Sequence, residues 1–213
     1  MNNWEYTKPM DIENRSMEII TQELHKRGIV LEQQTAHIVR RVIHTTADFE
    51  YAHSMYFSPG AAMVGQLALQ AGADIVTDTR MAQAGISQKT LDKLGGKVHC
   101  FMADADVAEM ARKNGTTRAV ASMDKAAKEL PGAIYAIGNA PTALIRLCEL
   151  IKRGEIRPAL IIGVPVGFVN VVEAKEMLIQ SGAPCIVARG RKGGSNVAAA
   201  ICNAMLYQGT DRG

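Results

Sequence analysis

Short apolar runs alternate with longer segments of helical period through most of this 213-residue chain. Such alternation is typical of a mainly parallel sheet, because parallel neighbours need a long crossover connection, which is usually a helix. The sequence therefore predicts an α/β fold with a single doubly wound, mainly parallel sheet and helices on both faces. The predicted strands cover residues 55–57, 74–79, 97–102, 133–137, 159–163 and 185–189.

The first 46 residues depart from this alternation and predict an N-terminal helical pair, at residues 12–26 and 31–45. No repeat, low-complexity run or Pro- and Ser-rich linker divides the chain. We therefore expect one domain over residues 1–213, with the N-terminal helices in 1–46 and the α/β sheet core in 54–207. The other predicted helices cover residues 61–70, 88–94, 107–114, 118–130, 142–153, 171–180 and 196–207.

Composition excludes several classes of protein. Hydrophobic residues make up 47% and charged residues 21%, which excludes a disordered chain. A net charge of +3 and only 5% aromatic residues argue against a nucleic-acid partner. No run approaches 18 apolar residues and no leader pattern opens the chain, so we expect no membrane partner and a cytoplasmic location.

Four cysteines are too widely spaced for a redox pair or a zinc site, and we expect them to be small buried hydrophobic residues. The sequence predicts no metal site in the protein.

The segment RGRKGGSN, at residues 189–196, follows a predicted strand and opens a helix. Ligands of such sheets bind beyond the carboxyl ends of the strands, and here free N–H groups and three cations are expected to converge on one spot. The spacing fits neither GxxxxGK[ST] nor GxGxxG, so the prediction is an anion site, suited also to carboxylates, rather than a nucleotide site. The alternative is a glycine-rich turn with solvated charges and Ser195 as a helix cap.

Two further loops admit two interpretations each. In GNAPTA, at residues 138–143, a ligand contact and plain helix capping are both open, since Gly138 permits a tight turn and Pro141 suits a first helical turn. In GVPVGFVN, at residues 163–170, Val166 and Phe168 line either a pocket rim or a simple hydrophobic turn.

His37, Arg41 and His44 lie on one face of the second predicted helix. The two histidines are about 10 Å apart along the axis, too far to share a metal ion. His44 is close to the carboxyl end of the helix, where the helix dipole favours positive charge. Spacing alone leaves it either a general acid or a surface or capping histidine. Asp104 and Asp106 are interpreted as first-turn acids of a helix rather than as a catalytic pair.

Seven segments together resemble the precorrin-8X methylmutase family of cobalamin biosynthesis, nearly from end to end. The order of AIGNAPTAL, VPVGFV and GRxGGS makes the resemblance specific. The segments are RSMEII (15–20), RVIHTTADFEYA (41–52), YFSPGA (56–61), DTRMAQAGI (78–86), AIGNAPTAL (136–144), GVPVGFVNVVEAKE (163–176) and GRKGGSNVAAA (190–200).

The resemblance implies an isomerase that moves a methyl group at ring C of the macrocycle to the adjacent ring carbon by a sigmatropic shift. The product would be hydrogenobyrinic acid in the metal-free route or cobyrinic acid in the cobalt-early route. No methyl donor or cofactor is implied, and any cobalt belongs to the substrate. The resemblance also implies a flavodoxin-like sheet and a homodimer with its site near the subunit interface.

For individual residues, the resemblance implies that His44 is catalytic and protonates or hydrogen-bonds the macrocycle. Arg41 and Arg118 match basic positions that would meet the peripheral carboxylates of the substrate. A polycarboxylate tetrapyrrole would also suit the predicted anion loop. The remaining substrate-binding positions implied are Ser58, Arg189, Arg191, Gly193, Gly194 and Ser195.

Two other functions stay open at this stage. A corrinoid carrier would bind the macrocycle without catalysis, and an unrelated α/β transferase would act on a small acid. No residue indicates whether the substrate carries cobalt, although the general resemblance of the amino-terminal segment favours the cobalt form of the substrate.

Overall fold

The computed structural model describes residues 8–208, which contain six strands and eleven α-helices. The strands are β1 (Met55–Phe57), β2 (Ile75–Thr77), β3 (Val98–His99), β4 (Ile134–Ile137), β5 (Leu160–Gly163) and β6 (Cys185–Ala188). The helices are α1 (Pro9–Lys26), α2 (Ala36–Thr46), α3 (Tyr51–Ser54), α4 (Ala61–Gln70), α5 (Arg80–Gly85), α6 (Gln88–Lys93), α7 (Ala105–Asn114), α8 (Arg118–Glu129), α9 (Pro141–Lys152), α10 (Val171–Gln180) and α11 (Ser195–Leu206).

All strands belong to one sheet, in the order β1-β6-β5-β4-β2-β3. Strands β2 to β6 are parallel to their neighbours, and only β1 runs antiparallel, against β6. Numbered along the chain, the five parallel strands have the order 2-1-3-4-5 of flavodoxin-like sheets. The predicted fold class is confirmed.

Each face of the sheet buries its own apolar cluster. Ile134 and Ala136 of β4 face one cluster, whereas Tyr135 and Ile137 face the other, because successive side chains of a strand point to opposite faces. The first cluster is covered by α1, α2, α4 and α11, and the second by α7, α8, α9 and α10. The N-terminal helical pair is thus packed into the core of the sheet rather than set apart from it.

Several predicted boundaries were wrong. Helix α2 begins at Ala36 instead of residue 31, because the backbone N–H groups of Thr35 and Ala36 both bond the carbonyl of Glu32 in a tight turn. The predicted loop 78–86 contains α5, whose first turn is capped by the Thr79 hydroxyl. Strand β3 has only two residues and leads into a 3-10 helix at Phe101–Ala103.

Two other local expectations were confirmed, one for three of the four cysteines and one for Asp104 and Asp106. Cys148, Cys185 and Cys202 are buried free thiols, and Cys100 is half-buried. Asp104 and Asp106 stand at the start of α7, where both carboxylates bind the ammonium of Lys125 at 2.8 Å. Within residues 8–208, no helix has the length and apolar character needed to cross a membrane.

Helices α2 and α11 pack against each other in opposite directions. Arg41 of α2 lies over the ring of Tyr207, just beyond the carboxyl end of α11. Asp48, which follows α2, binds Lys192, which precedes α11. The carboxyl end of α2 therefore lies beside the amino end of α11, at the same edge of the sheet as the carboxyl ends of the parallel strands.

We predict that Ile201→Ala lowers the free energy of unfolding by about 2 to 5 kcal/mol, because it leaves a cavity in the middle of α11. Ile201 is fully buried among α2, α4 and the sheet. Ile19→Ala, at a half-exposed position of α1, is the matched control and should cost much less. Urea unfolding measures both, and equal losses would contradict the placement of Ile201 in the core.

Candidate functional site

The Asp78 carboxylate joins two loops at the carboxyl edge of the sheet. Asp78 follows β2 and is buried, and it accepts backbone N–H bonds from Gly138 at 2.9 Å, Asn139 at 2.8 Å and Ala140 at 2.7 Å. These donors lie between β4 and α9, across the point where the strand order reverses. Burial raises the pKa of Asp78, and the three N–H donors oppose that rise. The protein's own carboxylate thus fills the place where flavodoxin-like sheets commonly hold a ligand's anion.

The loop before α11 is fastened to this arrangement. The hydroxyls of Thr79 and Ser195 are 2.7 Å apart and share a hydrogen bond. A Cβ at Gly138 would lie 2.7 Å from the Cα of Ser195, so only glycine permits this approach. Ser195 is therefore the first residue of α11 with its hydroxyl engaged by Thr79, and the helix cap is Gly194 instead.

A second contact ties the same loop to the segment after β5. The N–H of Gly194 donates to the carbonyl of Val164 at 2.9 Å, and the N–H of Gly167 donates to the carbonyl of Arg191 at 3.1 Å. A Cβ at Gly193 would overlap the Val164 carbonyl oxygen. Gly193 thus allows the loop to lie directly on the β5–α10 connection, and the N–H of Gly194 holds it there.

The three cations of the loop do not converge, and that expectation was wrong. Arg189 pairs with Glu176 of α10 at 3.5 Å, whereas Lys192 reaches Asp48 at 2.5 Å and Glu50 at 2.7 Å on the other side. Successive side chains of the extended loop point in different directions, and acidic groups on the flanking elements bind two of them. Lys192 holds the pKa of Asp48 below its ordinary value through their hydrogen bond.

Arg191 is the loop cation for which residues 8–208 offer no carboxylate partner. Its guanidinium lies 5.5 Å from the centroid of the Phe168 ring, an arrangement that fits a cation–π contact. Phe168 is 83% exposed, and Val166 and Val169 beside it are exposed as well. An exposed cation and exposed apolar side chains therefore lie side by side.

His44 lies in the last turn of α2 and is half-buried. No hydrogen bond or ion pair engages its imidazole among the residues that the structure describes. The Lys192 ion pairs with Asp48 and Glu50 connect the segment just after His44 to the glycine-rich loop. The structure thus brings His44 to the same edge as residues 189–195.

Arg118 is placed at this edge too. It is the first residue of α8 and is exposed. The hydroxyls of Thr117 and Thr142, at the starts of α8 and α9, are 3.3 Å apart. Arg118 thus stands beside the loop that Asp78 fixes.

Arg41 and Ser58 are not brought together with the others. The Arg41 side chain is 13% exposed and pairs with Glu13 at 2.6 Å, near the carboxyl end of α11. The Ser58 hydroxyl accepts the N–H of Cys185 at 2.9 Å. Because β1 runs antiparallel to β6, Ser58 lies at the edge opposite the glycine-rich loop.

Lys175 is a residue of this region that the sequence reasoning missed. It is fully buried in α10, and its Nζ donates to the carbonyls of Gly190 and Lys192, both at 2.8 Å. Burial lowers the pKa of Lys175 to about 8. The signal was present in the sequence, since Lys175 falls between Ala174 and Leu178 on the apolar face of a predicted helix.

No group of three or more His, Cys, Asp or Glu side chains within residues 8–208 is arranged to hold a metal ion. The edge instead offers an imidazole, exposed cations, backbone N–H groups and an apolar rim. That combination suits a broad ligand with an apolar body and anionic substituents.

Residues 11–208 match the family model described as Precorrin-8X methylmutase. The chain belongs to the precorrin-8X methylmutase family. The resemblance seen in the sequence is thereby confirmed.

Individual members of the family agree with this assignment. A cobalt-precorrin-8 methylmutase from Priestia megaterium is 48% identical over 198 residues, covering 93% of this chain and 87% of that protein. A precorrin-8X methylmutase from Pseudomonas aeruginosa is 39% identical over 199 residues, covering 92% and 94%. The crystal structure of a precorrin-8x methyl mutase from Thermus thermophilus superposes with a TM-score of 0.83 at 43% identity, covering 92% and 95%.

We predict that Gly193→Ala costs about 3 kcal/mol of unfolding free energy, because the new methyl group forces the loop off the Val164 carbonyl. Gly190→Ala is the control in the same loop. Its Cβ meets no atom within 4 Å, so its positive φ alone should cost about 1 to 2 kcal/mol. Denaturant unfolding compares them, and an equal cost would show that the loop does not rest on β5–α10 in solution.

Proposed function

We propose that this chain is an isomerase of cobalamin biosynthesis that moves a methyl group at ring C of precorrin-8X or cobalt-precorrin-8 to the adjacent ring carbon. The products would be hydrogenobyrinic acid and cobyrinic acid respectively. Membership of the methylmutase family over residues 11–208 is the observation that carries the proposal. The geometry at the carboxyl edge of the sheet supports it.

The macrocycle would lie at this edge, between the end of α2 and the loop 189–194. Its peripheral carboxylates would meet Arg191 and Arg118, which are exposed and have no carboxylate partner among the residues described. Its flat body would rest against the exposed rim that includes Phe168. A large, flat polyanion explains why the edge combines cations with apolar surface and carries no nucleotide motif.

A methyl shift within one molecule needs no external methyl donor, so the protein has two tasks. It holds the macrocycle in one orientation, and it supplies a proton or a hydrogen bond as electron density moves. His44 is the group proposed for the second task, because its half-buried imidazole is engaged by no other side chain within residues 8–208. Because substrate and product have the same composition, any proton that His44 gives to the macrocycle during the shift would return to the imidazole before the product leaves.

We further propose that the enzyme works without a cofactor, and that cobalt, where present, enters with the substrate. The homodimer with a site near its interface stays a prediction, as does the cytoplasmic location. A second copy would supply groups that one chain does not bring to the edge, and Arg41 and Ser58 are two such residues.

The deciding experiment is an anaerobic incubation with precorrin-8X and, separately, with cobalt-precorrin-8. A change of the visible spectrum to that of a corrin at unchanged product mass would establish the isomerase, and the faster substrate would identify the route. Binding without conversion would favour a corrinoid carrier. No interaction with either compound would refute the proposal.

We predict that His44→Ala lowers turnover at least about 100-fold, a typical contribution of a general acid, while the corrin still binds. His37→Ala is the matched control on the same helix face, where the imidazole bonds Gln66 at 3.1 Å. It should retain turnover within a few-fold of the unchanged enzyme. Near-normal turnover of His44→Ala in steady-state assays would remove His44 from the mechanism.

We predict that Arg191→Ala weakens macrocycle binding by about 1 to 3 kcal/mol through the loss of a charge-assisted hydrogen bond. Arg153→Ala, at the far end of α9, serves as the control because it removes an exposed arginine from the opposite edge of the sheet. Spectroscopic titration with cobyrinic acid at low salt measures both. If both variants kept full affinity, Arg191 would not contact the macrocycle.

A further inference from the structure

Lys175 is a buried cation without an anion. Its side chain is 0% exposed, and its two hydrogen bonds both go to backbone carbonyls of the glycine-rich loop, those of Gly190 and Lys192, at 2.8 Å each. No carboxylate pairs with it within residues 8–208. The neighbouring acid Glu176 pairs with Arg189 instead.

Stability alone does not account for a lysine at this position. Burying an ammonium group without a counter-charge costs free energy, and the desolvation that lowers its pKa to about 8 reports that cost. The rest of the buried face of α10 is apolar, with Val171, Ala174 and Leu178. A methionine would fill similar space with no ammonium group to desolvate, but it would leave the carbonyls of Gly190 and Lys192 without this donor.

Each carbonyl that Lys175 binds determines the direction of the N–H in the same peptide group, which belongs to the following residue. In a planar trans peptide, the C=O and the following N–H point in opposite directions. With the carbonyls of Gly190 and Lys192 turned inward to Lys175, the N–H groups of Arg191 and Gly193 are turned away from the protein interior. Neither N–H has an acceptor among the residues that the structure describes.

We propose that Lys175 is a positioning residue that holds the loop as a receptor, with the N–H groups of Arg191 and Gly193 directed at one carboxylate of the substrate. The identity of that carboxylate rests on the proposed function, whereas the fixing of the loop does not. Backbone N–H groups without a protein acceptor are suited to binding an anion. They supply two donors that do not depend on the loop's cationic side chains.

The first test is Lys175→Met, titrated with cobyrinic acid. Loss of the directed donors should raise Kd and KM at least about tenfold. The loop holds the substrate equally before and during the methyl shift, so kcat should fall by less than about threefold. Because methionine suits the apolar surroundings, the variant should fold normally. If it no longer folded, Lys175 would be needed for the stability of the core, and the proposal would be overturned.

Lys175→Gln separates positioning from packing. Its neutral amide keeps an N–H donor but is poorly suited to an apolar site, so it should be less stable than Lys175→Met and yet bind cobyrinic acid more tightly. Leu178→Ala, one turn further along α10, is the control. It should lower Tm by creating a cavity while leaving Kd within about twofold. Affinities that simply follow the stabilities of the three variants would overturn the proposal.

Amide exchange in the ligand-free protein tests the loop without any substrate. The Gly194 N–H is held by the Val164 carbonyl at 2.9 Å and should exchange slowly. Exchange at Gly194 should accelerate in Lys175→Met and stay slow in Leu178→Ala; unchanged exchange in Lys175→Met would overturn the positioning role. If the unchanged enzyme neither binds nor converts the corrin, the proposed function fails, and this measurement still decides whether Lys175 fixes the loop.

Discussion

The carboxyl edge of the sheet depends on three hydrogen bonds, which the Asp78 carboxylate accepts from consecutive backbone N–H groups. These bonds fix the β4–α9 loop, and that loop receives the start of α11 at Gly138. From there the glycine-rich loop extends over the β5–α10 connection. Because the Asp78 carboxylate occupies the point where the strand order reverses, a ligand of this edge has to bind over the loops instead of between them. Such a surface suits a broad macrocycle better than a single phosphate group.

The N-terminal region is connected to this arrangement through α2 and the segment that follows it. Lys192 binds Asp48 and Glu50, so the segment that follows His44 is tied to the loop that precedes α11. These ion pairs place the imidazole near the loop, although the two come from elements about 150 residues apart in the chain. Preorganisation of this kind matters for a rearrangement within one molecule, because placement is most of what the protein contributes.

The sequence was a good guide to the sheet and a poorer one to the directions of side chains. The buried runs at β4, β5 and β6 were found within a residue or so, since apolar strands between helices leave a strong periodic signal. The pattern could not show that β1 runs antiparallel, and this is what moves Ser58 to the opposite edge. Nor could it show which acid each loop cation meets, because Glu176 and Asp48 reach the loop only through tertiary packing. Lys175 was detectable as a charge on an apolar helix face, but its carbonyl partners were not.

Both outermost strands of the sheet are short, with three residues in β1 and two in β3. Such edges expose few unpaired backbone groups, so a neighbouring molecule finds little to extend. Copies of this chain are thereby discouraged from joining sheet to sheet. An assembly would have to be formed by helix and loop surfaces, where specificity comes from side chains and can be changed without disturbing the central sheet.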